Sequence, residues 1–196
     1  MTSPSIYLLR HGETEWSRSG RHTGRTDIEL TDSGRTRASS QRQHLEAVDA
    51  GLVLCSPLAR ARETARLAGL SPEALDDDLL EWDYGAWEGL TTAEIRERLN
   101  RRDWTIWSDP IPPGATPGEQ PEDVAVRAER IIRRCEPVLD EGKSCILVAH
   151  GHVLRILTAT WLALPAVDGR LFALDAGSVS RLGHEREQRV ILAWNA

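Results

Sequence analysis

The chain has 196 residues and a net charge of −6, with 40% hydrophobic and 28% charged residues. This composition is typical of a globular protein with a sizeable core, and the length predicts one domain over residues 1–196. The acidic balance argues against a general nucleic-acid binder. No apolar run approaches the roughly 18 residues that a membrane span needs. The N-terminal apolar run is short and no basic segment precedes it, which argues against a signal peptide.

The first predicted element is a buried strand over residues 6–9, which leads into the polar sequence Arg10-His11-Gly12. Further along, Thr31 is a plausible N-cap, and the stretch from there to about Leu45 is compatible with a helix. The chain thus begins with a strand, a polar loop and a helix.

The second buried strand is predicted over residues 52–55 and contains Cys55. Ser56-Pro57 follows at once and predicts a helix through 59–67, with Ser56 as N-cap and proline at its first position. Thr91 and Glu94 fit a capping box that starts a helix running toward Leu99.

The segment 108–121 is rich in proline and glycine and is predicted to be a loop. A long helix should begin at Pro121 and end near Gly142, with an acidic first turn. Its buried face is predicted to contain Val124, Ala128, Ile131, Ile132 and Cys135.

The third buried strand is predicted over residues 145–149 and ends at His150. A helix from about Val153 should stop before Pro165, and two or three short strands should close the chain around 170–193. Strands that alternate with helices predict a three-layer α/β/α fold with a mostly parallel central sheet. Because the last strands have no helices between them, one edge of that sheet is expected to be antiparallel.

The three cysteines, Cys55, Cys135 and Cys145, form an odd set without paired spacing. Two of them lie in apolar runs, which favours reduced core residues over a disulfide framework. We therefore expect a cytoplasmic protein.

Unusual polar residues follow each of the three main strands. Arg10 and His11 follow the first strand, Arg60 comes shortly after the second, and His150 follows the third. Ligands of open α/β sheets bind beyond the carboxyl ends of the strands, so these residues should meet at one site. Either histidine alone could equally be a satisfied core residue, but their shared topological position favours a functional role.

Two histidines and two arginines around one pocket suit phosphoryl transfer. Guanidinium groups bind phosphate oxygens in bidentate fashion and keep their charge. A neutral imidazole can attack phosphorus when a hydrogen bond at its other nitrogen fixes the tautomer, and a second imidazole can stabilise the charge that develops on phosphate oxygens.

These residues lie within motifs that resemble the histidine phosphatase superfamily, in its phosphoglycerate-mutase-like branch. Four motifs occur in the family's order between residue 6 and about residue 155, so the resemblance covers most of the chain. They are R-H-G-E-T at 10–14 with the following 20–34 segment, S-P-L-A-R-A at 56–61, L-E-W-D-Y-G at 80–85, and V-A-H-G-H at 148–152.

The resemblance implies that His11 is phosphorylated and that Arg10, Arg60 and His150 hold the transferred phosphoryl group. It implies Glu81 as the proton donor to the leaving oxygen. It also places Thr23 close to the substrate and offers the backbone N–H of Gly151 as a phosphate ligand. The implied enzyme needs no metal and no cofactor, and its partner is a small phosphorylated substrate rather than nucleic acid or a membrane.

The sequence departs from the family at Ser17, where asparagine is common. A serine hydroxyl is shorter, so Ser17 is not included among the predicted phosphate ligands. Asp83 and Glu88 compete with Glu81 for the acid role, but the motif position favours Glu81. The run at 76–78 is interpreted as a solvated acidic loop.

His22 and His152 either line the pocket or make local hydrogen bonds, and the sequence does not separate these two interpretations. The tryptophans near the acid motif and the 108–121 loop could shape the pocket, although core packing is the default for each. They are Trp82, Trp87, Trp104 and Trp107.

Three alternatives compete with a phosphatase. A mutase is disfavoured because family mutases are longer and this sequence ends at Asn195-Ala196, soon after its last predicted strand. A metal-dependent hydrolase is suggested by His150-Gly151-His152, but no further ligands follow at set spacings and the two arginines would repel a cation. A binding module without turnover is disfavoured because the predicted catalytic residues are all present. The physiological substrate and the oligomeric state are not predicted.

Overall fold

The computed structural model describes residues 3–196, which contain six strands and seven α-helices. The strands are β1 (Ile6–Arg10), β2 (Ala50–Cys55), β3 (Ala74–Leu75), β4 (Ser144–Ala149), β5 (Val179–Glu185) and β6 (Gln188–Ala193). The helices are α1 (Glu15–Ser19), α2 (Asp32–Ser40), α3 (Arg42–Leu45), α4 (Ala59–Leu67), α5 (Thr92–Leu99), α6 (Pro121–Asp140) and α7 (Gly151–Trp161). Short 3₁₀ turns lie at 77–79, 85–87 and 166–171.

The strands form one sheet in the order β3-β2-β4-β1-β5-β6. The first four are mutually parallel, because helical crossovers return the chain to the same end of the sheet. β5 is antiparallel to β1 and is joined to β6 by a tight hairpin. The mostly parallel sheet with an antiparallel edge is confirmed.

Alternate residues of β4 face opposite sides of the sheet, as the period of a strand requires. Cys145, Leu147 and Ala149 belong to a core cluster that includes buried side chains of α6 and α7. Ile146 and Val148 belong to a second cluster with the alanines of α4. The sheet therefore lies between two helical layers, which confirms the three-layer fold.

Helix α4 has the predicted extent, but the prediction that Ser56 caps it is wrong. The N-cap is Leu58, which makes no side-chain cap bond, and the N–H of Ala59 is satisfied by Asp27 Oδ2 at 2.8 Å. A side chain distant in sequence thus replaces the local cap, and Ser56 Oγ accepts only from Leu58 N in this turn, at 3.4 Å.

Other predicted helices differ from the structure mainly at their ends. The helix predicted from Thr31 to about Leu45 is divided into α2 and α3 at Gln41, whose side chain donates to Gly177 O at 2.8 Å. Helix α7 begins at Gly151, two residues before the predicted Val153. Helices α5 and α6 start as predicted, at the Thr91–Glu94 capping box and at Pro121.

The interpretation of residues 76–78 as a solvated loop is wrong for two of the three aspartates. Asp76 is buried, accepts from the N–H of Asp78 and forms an ion pair with Arg134. Asp78 pairs with Arg130 at 2.5 Å. Because these arginines project from α6, the acidic run fastens that helix to the 3₁₀ turn at 77–79.

Cys55, Cys135 and Cys145 are buried free thiols. Within residues 3–196, no helix combines the length and the apolar character that crossing a bilayer requires.

Candidate active site

The ends of three neighbouring parallel strands build the site. In the register of β1 and β4, Arg10 lies opposite Ala149, so His11 and His150 leave the sheet side by side. Their ring centroids are 5.1 Å apart. Ser56 leaves β2 on the other side of β4, with its N–H bonded to Val148 O at 2.9 Å. The topology thus brings together two histidines that are 139 residues apart in sequence.

His11 is held as a neutral imidazole with a free lone pair. Its Nδ1 lies 2.7 Å from Gly12 O, and since a carbonyl oxygen only accepts, Nδ1 carries the proton and Nε2 the lone pair. Burial, together with the charges of Arg60 and Arg10, holds the pKa of His11 well below its usual 6.5. The residue lines an open pocket while being only 4% exposed.

His150 has the opposite tautomer. Its Nδ1 accepts from Arg60 Nε at 3.1 Å, and a guanidinium group can only donate. The ring proton of His150 therefore lies on Nε2, which is 2.7 Å from Ser56 Oγ. Burial and the charge of Arg60 lower the pKa of His150 well below the usual value, so this ring is neutral as well.

Arg60 is fully buried behind His150, and backbone carbonyls accept from most of its N–H groups. Nη1 donates to Thr26 O at 2.8 Å, and Nη2 donates to Gly24 O at 2.9 Å and Thr23 O at 3.2 Å. In this geometry Arg60 contributes charge and orients His150.

Glu88 anchors the same loop. Its carboxylate accepts from the N–H of Gly24 at 2.9 Å and of Thr26 at 3.0 Å. Because the carbonyls of this loop hold Arg60, Glu88 supports the site from outside the pocket.

Arg10 presents unused hydrogen-bonding capacity to the pocket. Its Nη1 donates to Leu174 O, whereas its Nε is buried without a partner among residues 3–196. The guanidinium lies directly against Gly151, where an added Cβ would be 3.2 Å from Arg10 Cζ. A buried cation with a free donor is suited to an incoming anion.

The pocket has a volume of about 360 Å³, within the range for small-molecule sites. Of the predicted site residues, Arg10, His11, Thr23, Glu81 and Gly151 lie on its wall. Arg60 and His150 lie in the layer behind this wall. The remaining lining includes Ser17, Gly20, Arg21, His22, Tyr84, Thr92, Thr105, Ile106, Trp107, His152 and Arg155.

Among the three competing carboxylates, Glu81 faces the pocket. Its Oε1 accepts from the N–H groups of Trp82 and Val153, both at 2.9 Å, and its Oε2 accepts from His152 N at 3.0 Å. Asp83 is engaged elsewhere, with its Oδ1 accepting from Gly85 N at 2.9 Å. Glu81 is therefore placed at the N-terminus of α7, with Oε2 the less occupied oxygen.

The hydroxyl groups of Ser17 and Thr23, on the pocket wall, have local partners. Ser17 Oγ accepts from Thr14 N at 2.9 Å within the capping box of α1, and Thr23 Oγ1 donates to Arg21 O at 3.1 Å. Both residues line the pocket. The serine that replaces the family's asparagine is thus close to the site and also has a structural role.

His22 and His152 both line the pocket, and their ring centroids are 6.3 Å apart. Tyr84 Oη lies 2.5 Å from His152 Nδ1. Burial raises the pKa of Tyr84 well above 10, so its hydroxyl keeps its proton and donates to His152. Burial lowers the pKa of His22 to about 4.

The tryptophans divide between core and pocket. Trp82 and Trp104 are buried in the core, and Trp87 packs edge-on against Trp104 with ring centroids 5.9 Å apart. Trp107 lies on the pocket wall, 5.0 Å from the ring of His152. Core packing thus explains the first three, whereas Trp107 shapes the site.

Tyr84, Arg21 and Arg155 also line the pocket, and the sequence motifs do not identify them as pocket residues. A signal existed for Arg155, because it follows His152 by three positions and residues so spaced share one face of a helix. Arg21 lies beside the proposed substrate contact Thr23 but gives no periodic signal. Within residues 3–196, no group of three or more His, Cys, Asp or Glu side chains is arranged to hold a metal ion.

Comparison with known proteins places this geometry among phosphatases. Residues 6–196 match the model of the histidine phosphatase superfamily (branch 1). The chain is 40% identical to an acid phosphatase of Mycobacterium tuberculosis, covering 94% of this chain and 88% of that protein. It is 38% identical to sedoheptulose 1,7-bisphosphatase of Saccharomyces cerevisiae, and the match covers 83% of this chain and 69% of that protein.

A solved structure agrees with the sequence matches. The product of an open reading frame of Mycobacterium tuberculosis superposes with a TM-score of 0.89 at 38% identity, covering 99% of this chain and 98% of that one. Other relatives are named as probable phosphoglycerate mutases.

Proposed function

Since the chain belongs to branch 1 of the histidine phosphatase superfamily and is a phosphatase-type hydrolase, we propose that it hydrolyses a small phosphorylated metabolite through a phosphohistidine on His11. The observation that carries this proposal is the state of His11. Its proton is held on Nδ1 by Gly12 O, its lone pair is on Nε2, and it lies on the wall of a pocket that also presents Arg10. A neutral imidazole fixed in this tautomer is a competent nucleophile.

The proposed reaction has two steps. In the first, the lone pair of His11 Nε2 forms a bond to phosphorus, the bond from phosphorus to the ester oxygen breaks, and that oxygen takes a proton from Glu81. In the second, a water oxygen attacks phosphorus and gives up a proton to Glu81, the bond to Nε2 breaks, and inorganic phosphate is released. Atoms and charge balance with water as the only co-reactant.

Arg10 and His150 are proposed to stabilise the phosphoryl group during transfer. Arg10 lines the pocket and its Nε has no partner among residues 3–196, and His150 carries its proton on Nε2. To donate to phosphate, that proton must leave Ser56 Oγ. The direct contact of Arg60 with phosphate, which the family resemblance implies, stays a prediction, as do the contacts of Thr23 and of the Gly151 N–H.

Glu81 is proposed as the proton donor to the leaving oxygen. It is the carboxyl group on the pocket wall, whereas Asp83 and Glu88 fasten loops. Its Oε2 accepts one backbone N–H and Oε1 accepts two, so Oε2 retains room for a proton.

Labelling with a quench in alkaline detergent, in which phosphohistidine is stable, tests this intermediate. Enzyme caught in turnover with a ³²P-labelled phosphomonoester should carry acid-labile, base-stable phosphate, and His11→Ala should carry none. The exposed His44, replaced in the same way, is the matched control and should label like the parent. Labelling that persists in His11→Ala overturns the assignment of the nucleophile.

Transfer to a second hydroxyl is the alternative that the mutase-named relatives raise. We expect phosphate release to exceed the conversion of 3-phosphoglycerate to 2-phosphoglycerate when both are measured on the same preparation. Interconversion far above release would make the protein a phosphotransferase acting through the same His11 intermediate.

The proposed chemistry draws its positive charge from arginine side chains. We therefore expect turnover to be unchanged after treatment with EDTA, and to be inhibited by vanadate, whose five-coordinate form resembles the transferring phosphoryl group. Activity that is lost with EDTA and restored by a divalent cation would contradict this part of the proposal.

A further inference from the structure

Arg155 is an arginine fixed in the pocket wall. It lies one turn beyond His152 on α7, is half-buried, and lines the same pocket as His11. Its Nε donates to Gly169 O at 3.0 Å and its Nη2 to Arg170 O at 3.1 Å. Its Cζ lies 5.0 Å from the centroid of the Trp107 ring. Two carbonyls and an aromatic face thus hold the guanidinium in one orientation.

The charge of Arg155 has no partner in the described part of the chain. Two carbonyl oxygens satisfy part of its donor capacity, but it takes part in no ion pair between residues 3 and 196. Arg21, on the wall of the same pocket, is neutralised by Glu94, with N–O distances of 3.0 and 3.2 Å. A fixed cation that has no carboxylate partner is available to an anion from outside.

Arg155 is distinct from the arginines that surround the proposed nucleophile. Arg10 and Arg60 both lower the pKa of His11, which indicates that their charges act at the phosphoryl position. Arg155 does not contribute to that shift, and it is placed against Trp107 instead. Arg10 and Arg155 thus line the same pocket at different places, Arg10 against Gly151 and Arg155 against Trp107.

We propose that Arg155 binds a second anionic group of the substrate, so that the preferred metabolite carries a carboxylate or another phosphate besides the ester that is cleaved. This inference rests on the proposed phosphatase function and names its substrate class. Guanidinium groups match the geometry of both carboxylate and phosphate oxygens, and the stacked, hydrogen-bonded arrangement reduces the entropy lost on binding.

Matched pairs of phosphate esters test the proposal. 3-Phosphoglycerate differs from glycerol 3-phosphate in having a carboxylate in place of a hydroxymethyl group, and fructose 1,6-bisphosphate differs from fructose 6-phosphate by a second phosphate. Each compound is measured as a substrate and as a competitive inhibitor of p-nitrophenyl phosphate hydrolysis. The first pair reports a carboxylate and the second a phosphate as the second anion.

We expect Arg155→Gln to weaken at least one of the two anionic probes by about 10- to 100-fold, mainly through KM or the inhibition constant. For the matching ester that lacks the second anionic group, the same constant should change by less than about threefold. Arg155→Lys keeps the charge without the fork and should recover part of the loss. Arg133→Gln makes the same charge change on an exposed residue of α6 and should leave all four values unchanged.

A merely structural role for Arg155 predicts a different result, because the side chain also ties α7 to the turn at 166–171. In that case Arg155→Gln would weaken the anionic and neutral probes by the same factor, and the proposal would be overturned. It would also be overturned if the parent enzyme preferred neither anionic probe over its partner.

Different results would contradict the proposed phosphatase function and the proposed anion subsite at Arg155. If the parent enzyme turns over none of the four esters or p-nitrophenyl phosphate, the proposed function fails, and the subsite is then assessed by calorimetric binding of 3-phosphoglycerate and fructose 1,6-bisphosphate. Tighter binding of either compound to the parent than to Arg155→Gln supports the subsite, and equal binding of both overturns it.

Discussion

The two histidines beyond the sheet have complementary tautomers, and this difference assigns their chemistry. His11 donates from Nδ1 to Gly12 O and presents a lone pair at Nε2. His150 accepts at Nδ1 from Arg60 and presents N–H at Nε2. A nucleophile needs a lone pair and an oxyanion stabiliser needs a donor. The two rings therefore cannot exchange roles without a change in their hydrogen-bond partners.

The protonation state of His11 determines how activity depends on pH in the acidic range. Its neutral form is the nucleophile, and burial with two nearby guanidinium groups holds its pKa well below 6.5. We expect kcat/KM for p-nitrophenyl phosphate to persist as the pH falls through 6.5 and to decline only at more acidic pH. Circular dichroism at each pH separates this decline from unfolding. A decline centred near pH 6.5 in folded enzyme would contradict the environment described for His11.

The role of Glu81 can be separated from simple binding by the choice of leaving group. Glu81→Gln should slow the phosphorylation step with alkyl phosphates by about 10²-fold or more, because an alkoxide needs a proton as it departs. A stabilised phenolate hardly needs one, so p-nitrophenyl phosphate should lose much less. Pre-steady-state bursts on both substrates isolate the first step.

Asp83→Asn provides the comparison for this experiment, because Asp83 lies in the same segment but bonds to Gly85 and Gly118. That variant should affect alkyl and aryl substrates alike. An equal loss on both substrates in Glu81→Gln would remove Glu81 from the role of acid.

At the scale of elements, backbone contacts fix the loops that carry the site. The N–H of His11 bonds to Ala149 O at 2.9 Å, so the sheet ladder continues one residue past β1. The next N–H, of Gly12, bonds to Thr64 Oγ1 of α4 at 3.0 Å. A nucleophile on such rigid supports is held in place before substrate binds.

Helix α2 approaches the loop after β1 so closely that only glycine fits. A Cβ on Gly12 would lie 2.5 Å from Gly34 O, a backbone atom that cannot turn aside. Gly12→Ala should lower the free energy of unfolding by about 1–3 kcal/mol and reduce kcat, because the loop must shift and Gly12 O orients His11. Urea unfolding and steady-state kinetics measure the two effects.

Gly51→Ala is the matched control for that substitution. Its Cβ would meet side-chain atoms of Lys143 and Val138 at the other end of β2, and these can move. We expect a smaller loss of stability and unchanged kcat. Equal effects of the two substitutions would show that the contact with α2 is not what positions His11.

The sequence predicts the site residues that directly follow a strand. It does not predict contacts made by loops that are distant in sequence. Apolar runs ending in Arg10-His11 and in His150 lead directly to the pairing of the two rings. Nothing local in the sequence indicates that Ser56 binds His150, because its position before proline is equally typical of a helix cap. The carbonyls that accept from Arg60 belong to a loop whose path is set by Glu88, 64 residues away. To predict Arg155 as a pocket residue, one must know that it lies on the same face of helix α7 as His152.

Several buried histidines make the free energy of unfolding depend on pH. His11, His22, His150 and His152 all have pKa values lowered by burial, that of His22 to about 4. Below about pH 6.5 the unfolded chain takes up protons that the folded protein excludes, so the free energy of unfolding falls as pH falls. Each group contributes up to about 1.4 kcal/mol per pH unit until its folded pKa is reached.

His22→Gln should reduce this slope. Urea unfolding between pH 6.5 and about 4 should give a free energy that changes by roughly 1.4 kcal/mol less per pH unit than in the parent. His44→Gln, at an exposed position, should leave the slope as it is. An unchanged slope in His22→Gln would mean that His22 is protonated in the folded state within this range.

The position of β1 in the sheet also sets the order in which the protein can assemble. β1 leaves the ribosome before the other strands of this sheet, yet its neighbours are β4 and β5, which begin at residues 144 and 179. Until β4 is synthesised, β1 has two open edges, and one of them stays open until β5 follows. Open edges are prone to pairing with other chains. The nucleophile therefore cannot be formed on a partial chain, and contacts of such long sequence separation make folding slow. Catalytic competence should appear during biosynthesis as a single late event, with chaperone dependence concentrated in the interval before it.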